Sequence, residues 1–385
     1  MSLDTEIRVN SLGFAKPESE TRVVVAMSGG VDSSVVAAKL KREGYDVIGV
    51  TMRLWALERE DVPQANKRCC SVEDVEDARR VCRVIGAPHY FQNFEREFQT
   101  HVVDYFVQEY DRGRTPHPCL ACNDKMKFDF LLRRAMFLDA DYIATGHYAR
   151  IRHTGSQFEL LKGIDGDKDQ SYVLFTLKQQ ELARLLLPIG EYPKSEIREI
   201  AAEAGLPVAD KPDSQEICFI PDGDYRKFVG ERTKPTPGDF IDSDGNVLGQ
   251  HPGIQFFTVG QRRRLGLNGN TGKPLFVTRI IPETQQIVLG SVRDLDERQL
   301  WASRVTFVGE EPPSEPLTVD AKIRYNAGVS TATLTPRGDW AEIRFDEPQR
   351  AVTPGQAVVF YQGDVVLGGG IIERDAPMLQ EIAGG

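Results

Sequence analysis

The string Ser28-Gly29-Gly30-Val31-Asp32-Ser33-Ser34, set directly behind the apolar run Arg22-Val23-Val24-Val25-Ala26-Met27, constrains this chain more than any other feature. A short, almost unbroken apolar run is what a strand buried on both faces of a parallel sheet looks like. Behind the turn, Val31 to Glu43 carries Val31, Val35, Ala38 and Leu40 near helical spacing and stops before Gly44, so the turn joins a strand to a helix. Adjacent glycines permit positive φ and close backbone approach, and successive N–H groups can then converge on an anion. The helix N-terminus adds a positive partial charge and three serines add hydroxyls, a combination suited to a pyrophosphate. The turn lacks both the lysine of a Walker A loop and the spacing of a dinucleotide fingerprint, which points away from γ-phosphate chemistry and from NAD-type ligands. Asp32 is placed to hold Mg²⁺ against the phosphates.

Strand and helix signals keep alternating through the first half of the chain. Asp46 to Thr51 reads as a strand, and Ser71-Val72-Glu73-Asp74 as a capping box opening a helix that stops at Gly86. Asp141 to Thr145 reads as a further strand and Ser195 to Ala204 as a further helix. The alternation predicts a doubly wound α/β domain with a parallel sheet over residues 1–220. Beyond Pro221, Pro and Gly recur every few residues and short alternating runs appear, among them Ile254 to Val259, Leu317 to Tyr325, Val329 to Leu334 and Gln356 to Tyr361. That texture predicts a small central module over 221–298 and a C-terminal antiparallel β-barrel over 299–385.

A net charge of −10, from 47 Lys+Arg against 57 Asp+Glu, excludes a protein that coats nucleic acid indiscriminately. It leaves room for local basic patches such as Gln261-Arg262-Arg263-Arg264. No apolar stretch approaches the ~20 residues of a membrane span. The first residues carry Asp4, Glu6, Arg8, Lys16, Glu18 and Glu20 rather than a signal-peptide core, so the expectation is a cytoplasmic protein without membrane partners.

Six cysteines are too few for a disulfide scaffold, and they are unevenly placed. Cys82 falls on the apolar side of a predicted helix and reads as core, while Cys69 and Cys70 read as loop or core residues. Cys119 and Cys122 form a C-x-x-C within Gly113-Arg114-Thr115-Pro116-His117-Pro118-Cys119-Leu120-Ala121-Cys122-Asn123. The prolines forbid helix up to Pro118, and Lys125-Met126-Lys127-Phe128-Asp129 begins one. The two thiols therefore fall near a helix N-terminus, where backbone N–H groups and Lys125 and Lys127 favour the thiolate. Cys218 lies far downstream on the short apolar segment Ile217-Cys218-Phe219-Ile220. A zinc site drawing on these three thiols and His117 is also compatible with the spacing.

The string from Ser28 to Ser34 resembles the PP-loop of the adenine nucleotide α-hydrolase-like ATP pyrophosphatases, which cleave ATP between its α and β phosphates and activate a substrate oxygen as an AMP ester. In that superfamily adenine lies against the second strand, here Gly49-Val50-Thr51-Met52, with the Met52 backbone on the base edge. Joined to the Thr-Pro-His-Pro-Cys-Leu-Ala-Cys-Asn segment, Ala144-Thr145-Gly146-His147-Tyr148, Lys168-Asp169-Gln170-Ser171-Tyr172, Ile217-Cys218-Phe219-Ile220, Thr258-Val259-Gly260-Gln261-Arg262, Ile323-Arg324-Tyr325 and Thr353-Pro354-Gly355-Gln356, it resembles the tRNA-specific 2-thiouridylases, the MnmA/TrmU family, over nearly the whole chain.

That resemblance implies ATP-dependent 2-thiolation of the wobble uridine of glutamate, glutamine and lysine tRNAs, a sulfurtransferase activity. ATP adenylates the C2 oxygen, a persulfide sulfur attacks C2, and AMP and pyrophosphate leave. Cys122 corresponds to the catalytic nucleophile and Cys218 to the cysteine that receives sulfur as a persulfide from a donor or carrier protein. A Cys122–Cys218 disulfide then forms, which a reductant must reopen. Cys119 departs from the pattern, standing where many members have an Asp assigned as acid/base. An alternative is that Cys119, Cys122 and Cys218 ligate an iron–sulfur (4Fe–4S) cluster with one iron open to sulfide. For ATP the resemblance points to Ala26, Met27, Ser28, Gly29, Gly30, Val31, Asp32, Ser33, Met52 and Gly146. For tRNA it points to His117, Pro118, Cys119, His147, Lys168, Asp169, Gln170, Arg324, Tyr325 and Gln356. DNA is not an expected partner. Two other readings fit the motifs less completely: another PP-loop ligase adenylating a small molecule, and an ATP-gated RNA-binding protein whose cysteines are structural.

Overall fold

A computed structural model describes residues 10–55, 72–213, 217–220, 222–267 and 274–376. Cys69, Cys70 and the Ser71 cap lie outside the described residues. The chain forms two compact units, one of Met1–Gln99 with Cys122–Pro221 and one of Thr100–Ala121 with Asp222–Gly385. The expected 1–220 domain is thus interrupted. Thr100–Ala121 goes with the C-terminal unit because its helix Asp104–Asp111 sends Phe106 edge-on to Phe228 and stacks Tyr110 on Tyr225, with ring centroids 6.3 and 4.8 Å apart.

In the first unit, β1 (Arg22–Ala26) leads into α1 (Val31–Arg42), β2 (Asp46–Arg53), α2 (Val72–Ile85), β3 (His89–Asn93) and β4 (Tyr142–Ala144). The sheet order is β3-β2-β1-β4 followed by Leu185–Leu186, and every pairing is parallel. Val23, Val24 and Val25 are fully buried, as the apolar run predicts. Val23 and Val25 share a core with Val35, Val36 and Leu40 of α1, Val81 and Cys82 of α2, and Ile197 and Ala201 of the helix Lys194–Glu203. Each large aliphatic side chain buried there contributes roughly 1.5–3 kcal/mol. Cys82 is a core thiol, pushed up to about 11 by burial. Gly49 is required opposite it, since a Cβ there would lie 2.5 Å from the Cys82 sulfur.

Strand order reverses between β1 and β4. In open α/β sheets that switch point opens a crevice at the carboxyl ends of the strands, where ligands bind. The Ser28–Ser34 turn leaves β1 there, and Thr145-Gly146-His147 leaves β4 there.

The second unit holds a four-stranded sheet over Gly238–Gly290 and a closed antiparallel barrel. The barrel strand Asp296–Phe307 pairs with both Trp340–Arg350 and Val365–Glu373, and the circuit is completed through Ser330–Arg337, Leu317–Lys322 and Ala357–Gln362. One expected strand is corrected. Ile254–Phe256 is a turn of 3-10 helix, and the apolar run from Ile254 instead puts Ile254 and Phe257 into the core of the central sheet.

Candidate functional site

The Ser28–Ser34 turn is shaped by its own residues. Gly29 has φ +75°, and a Cβ there would lie 2.3 Å from the Asp74 carbonyl oxygen, so only glycine fits. The Ser28 N–H donates to Ser33 Oγ at 3.1 Å, and Ser34 Oγ donates to the Gly30 carbonyl at 2.7 Å. Gly30 caps α1 without a side chain over its first N–H groups. Gly146 packs directly on this end, where a Cβ would lie 2.8 Å from the Ser33 nitrogen. Beyond Val50, the last residue paired to β1, β2 continues through Thr51, Met52 and Arg53. Met52 thus lies past the point where β1 turns away, its side chain buried.

Charged side chains close around the turn. Asp32 Oδ1 accepts from Tyr148 Oη at 2.8 Å and from Lys194 Nζ at 2.6 Å. Burial, with Asp32 beside it, keeps the Tyr148 phenol protonated. Asp213 gathers Lys194 at 3.0 Å, Lys168 at 2.9 Å and Arg198 at 2.9 Å. Lys211 Nζ reaches the Gly29 carbonyl at 3.0 Å, Asp74 at 2.7 Å and Asp77 at 2.6 Å. The Asp32 carboxylate is therefore already engaged by an ammonium and a phenol. Among the described residues, no three His, Cys, Asp or Glu side chains are arranged to hold a metal ion.

The stem before the cysteines belongs to the second unit. The Thr115 N–H donates to the Pro354 carbonyl at 2.8 Å, and Gln356 Nε2 donates to the Thr115 and Pro116 carbonyls at 3.0 and 3.1 Å. Arg114 is clamped between Glu109, at 2.7 Å, and both carboxylate oxygens of Glu373. His117 Nδ1 accepts the Leu120 N–H at 3.3 Å, capping a helix whose first residue is Pro118. The helix thus starts at Pro118 rather than Lys125, because proline at the first helical position has no N–H to satisfy. Burial pushes His117 down to about 4, so the ring is neutral at neutral pH.

Cys119 is exposed in the first turn of that helix. At Cys122, half-buried, the chain passes into the first unit and winds as a π-helix over Cys122–Leu131. Asn123 is 2% exposed and anchors this start by donating to the Val173 carbonyl at 3.1 Å. Further along, Lys127 Nζ lies 3.2 Å from His147 Nε2, and His147 Nδ1 lies 2.6 Å from Thr145 Oγ1. Burial, helped by Lys127, holds His147 well below its ordinary value, so the ring is neutral and accepts from the ammonium. Half-buried Cys218 sits on the turn Ile217–Ile220, anchored by Phe219 against Phe98 and Trp55.

The residues expected to meet RNA fall into two groups. His147 and Asp169 are buried; the Asp169 carboxylate accepts from the Gly163 and Ser171 N–H groups and from Ser171 Oγ. Gln170 Oε1 accepts the Tyr148 N–H at 3.0 Å. In the second unit Arg324 is exposed and donates to the Arg350 carbonyl, and Tyr325 is half-buried with the Lys322 ammonium 5.7 Å from its ring centre. Arg262, Arg263 and Arg264 are exposed. Sequence reasoning missed Lys194, Lys211 and Arg114. Lys194 stands just outside the helix expected from Ser195, and the partners of Lys211 and Arg114 are distant in sequence.

The described residues contain no helix long and apolar enough to cross a membrane. Known families cover the chain in three pieces: a tRNA methyl transferase HUP domain over residues 21–222, a tRNA methyl transferase PRC-barrel domain over 226–291, and an aminomethyltransferase beta-barrel domain over 297–372. A 4-thiouridine synthetase–RNA complex with bound ATP aligns at 19% identity over 55% of this chain and 50% of that one, with a TM-score of 0.32, too loose to bear on the assignment. A tRNA-specific 2-thiouridylase MnmA from Carboxydothermus hydrogenoformans is 50% identical over 92% of this chain and 98% of its own length. One from Lachnoclostridium phytofermentans is 51% identical over 91% and 99%. The family descriptions speak of methyl transfer, whereas these relatives match from end to end as thiouridylases. With half of all positions identical across more than nine-tenths of the sequence, the chain belongs to the tRNA-specific 2-thiouridylase family.

Proposed function

We propose that this chain thiolates C2 of the wobble uridine of glutamate, glutamine and lysine tRNAs, using ATP and a cysteine persulfide. Family membership makes it an enzyme, a tRNA-uridine 2-sulfurtransferase. The observation that carries the finer reading is the serine-lined turn at the switch point with Gly146 packed on it, a backbone cradle for linked phosphates. Ala26 through Ser33, Met52 and Gly146 bind ATP. The uridine C2 oxygen attacks the α phosphorus, the bond to the β-phosphate oxygen breaks, and its electron pair leaves with pyrophosphate.

Sulfur follows. A donor or carrier protein loads Cys218 as a persulfide, whose terminal sulfur bonds C2 as AMP departs. The Cys122 thiolate then attacks the Cys218 sulfur. Two electrons pass to the transferred sulfur, which stays on C2, and a Cys122–Cys218 disulfide remains for an external dithiol to reduce. Cys119, exposed one turn before Cys122, takes the place of the acid/base. If Mg²⁺ accompanies the nucleotide, the Asp32 carboxylate would hold it against the phosphates, which supply most of its ligands together with water. His117, Pro118, Lys168, Gln170, Arg324, Tyr325 and Gln356 contact the RNA, while His147 and Asp169 are buried within the first unit.

Cys122→Ser and Cys218→Ser test this. Each is expected to abolish 2-thiouridine, measured by mass spectrometry of wobble uridines, while tRNA still binds. Retained product in either variant rejects the assignment. Full activity of iron-free protein after anaerobic purification removes the cluster alternative, and iron-dependent activity removes the persulfide route.

A further inference from the structure

Two lysines of the first unit flank the Ser28–Ser34 turn, and they are used differently. An ammonium has three N–H donors and no acceptor. Lys211 gives all three, to the Gly29 carbonyl, Asp74 and Asp77. Lys194 is 9% exposed and gives two, to Asp32 Oδ1 at 2.6 Å and Asp213 Oδ1 at 3.0 Å. Asp213 is itself shared with Lys168 and Arg198, so it does not neutralise Lys194 alone.

The ammonium is held in place from several sides. The Lys194 N–H donates to Asp165 Oδ2 at 2.8 Å, Pro193 precedes it, and Ile197 and Ala201 of its helix are fully buried. The Tyr148 ring centre lies 5.7 Å from Nζ. A buried ammonium with one N–H left over is unfavourable unless an acceptor takes that donor, and a phosphate oxygen is an acceptor that its positive charge favours. Asp32, the second residue of α1, would also repel a polyphosphate arriving at the cradle unless a cation stood beside it.

We propose that Lys194 is a phosphate ligand of the bound nucleotide. Its third N–H goes to the pyrophosphate portion of ATP while Asp32 and Asp213 keep the other two and fix the ammonium. Lys211, with no donor left, is a strut for the turn. The inference rests on the reading of the turn as an ATP cradle. During adenylation the Lys194 ammonium offsets the charge that builds on the departing pyrophosphate.

Lys194→Met in the full chain tests it, with binding of ATP, inorganic pyrophosphate and AMP measured separately by titration calorimetry. ATP and pyrophosphate are expected to bind roughly tenfold to a hundredfold more weakly, the worth of one charge-assisted hydrogen bond, with AMP binding unchanged. Lys194→Arg should recover part of the loss. Equal losses for all three ligands, or unchanged pyrophosphate binding with only a lower melting temperature, would make Lys194 another strut and overturn the proposal. Should Lys194→Met fail to fold, Lys194→Gln keeps a long polar side chain without the charge. Pyrophosphate affinity should still fall at least roughly tenfold with AMP binding unchanged, and unchanged pyrophosphate affinity overturns the assignment. Wild-type protein that binds no ATP at all defeats the cradle reading itself, a result distinct from either variant's.

Discussion

The Ser28–Ser34 turn and the Gly113–His117 stem carry the two halves of the proposed chemistry, and they are held in contrasting ways. The turn is tied by its own serines, with partners four and five residues apart. The stem is tied by residues more than two hundred positions away, Gln356 to Thr115 and Pro116, and Glu373 to Arg114. A self-tied loop keeps its shape wherever its strand and helix are formed. A stem tied at long range has its shape only when the barrel has folded, so barrel stability and presentation of the cysteines are linked.

That contrast can be broken at three places. Arg114→Met leaves Glu109 and Glu373 facing each other, their side chains 7% and 17% exposed. A loss of about 3–5 kcal/mol is expected, the usual result of removing one partner from a buried ion pair. Urea unfolding measures it, and a loss below about 1 kcal/mol, the level of an exposed pair, would mean the clamp is not a stability element. Next in size, Gly29→Ala forces a side chain into left-handed backbone and onto Asp74, and should cost about 2–3 kcal/mol together with ATP binding. Gly30→Ala is its control, because a Cβ there meets only Ser28 Oγ at 3.4 Å. Equal effects at the two glycines would contradict the geometry of the turn. Smallest is Gln356→Leu, expected to destabilise by about 1–2 kcal/mol through two carbonyls left without their donor. Slower thiolation with ATP binding intact is the expected signature; unchanged stability would mean that the two carbonyl bonds do not hold the stem.

The same contrast explains what could be read before any coordinates. The parallel sheet, the glycine turn between its strand and helix, and the core position of Cys82 were legible because period, turn chemistry and helix spacing are local. The closed barrel was legible as texture, from its short alternating runs and frequent Pro and Gly. Ile254 misled because a single 3-10 turn can bury Ile254 and Phe257 as well as a strand does. The allegiance of Thr100–Ala121 was hidden because Phe106 and Tyr110 find Phe228 and Tyr225 across more than a hundred residues. Lys194 was hidden for the same reason, since its carboxylate Asp32 is 162 positions away.

The pitch of the segment after Cys122 decides which neighbour the thiol has. In an α-helix the positions stacked one turn beyond residue 122 are 125 and 126. When hydrogen bonds close five residues back, as over Cys122–Leu131, they become 126 and 127. The winding thereby trades Lys125 for Lys127, the ammonium that bonds His147 and, through that ring, Thr145 at the head of the crevice. A choice of one residue in helical register thus selects the lysine that shares a face with Cys122.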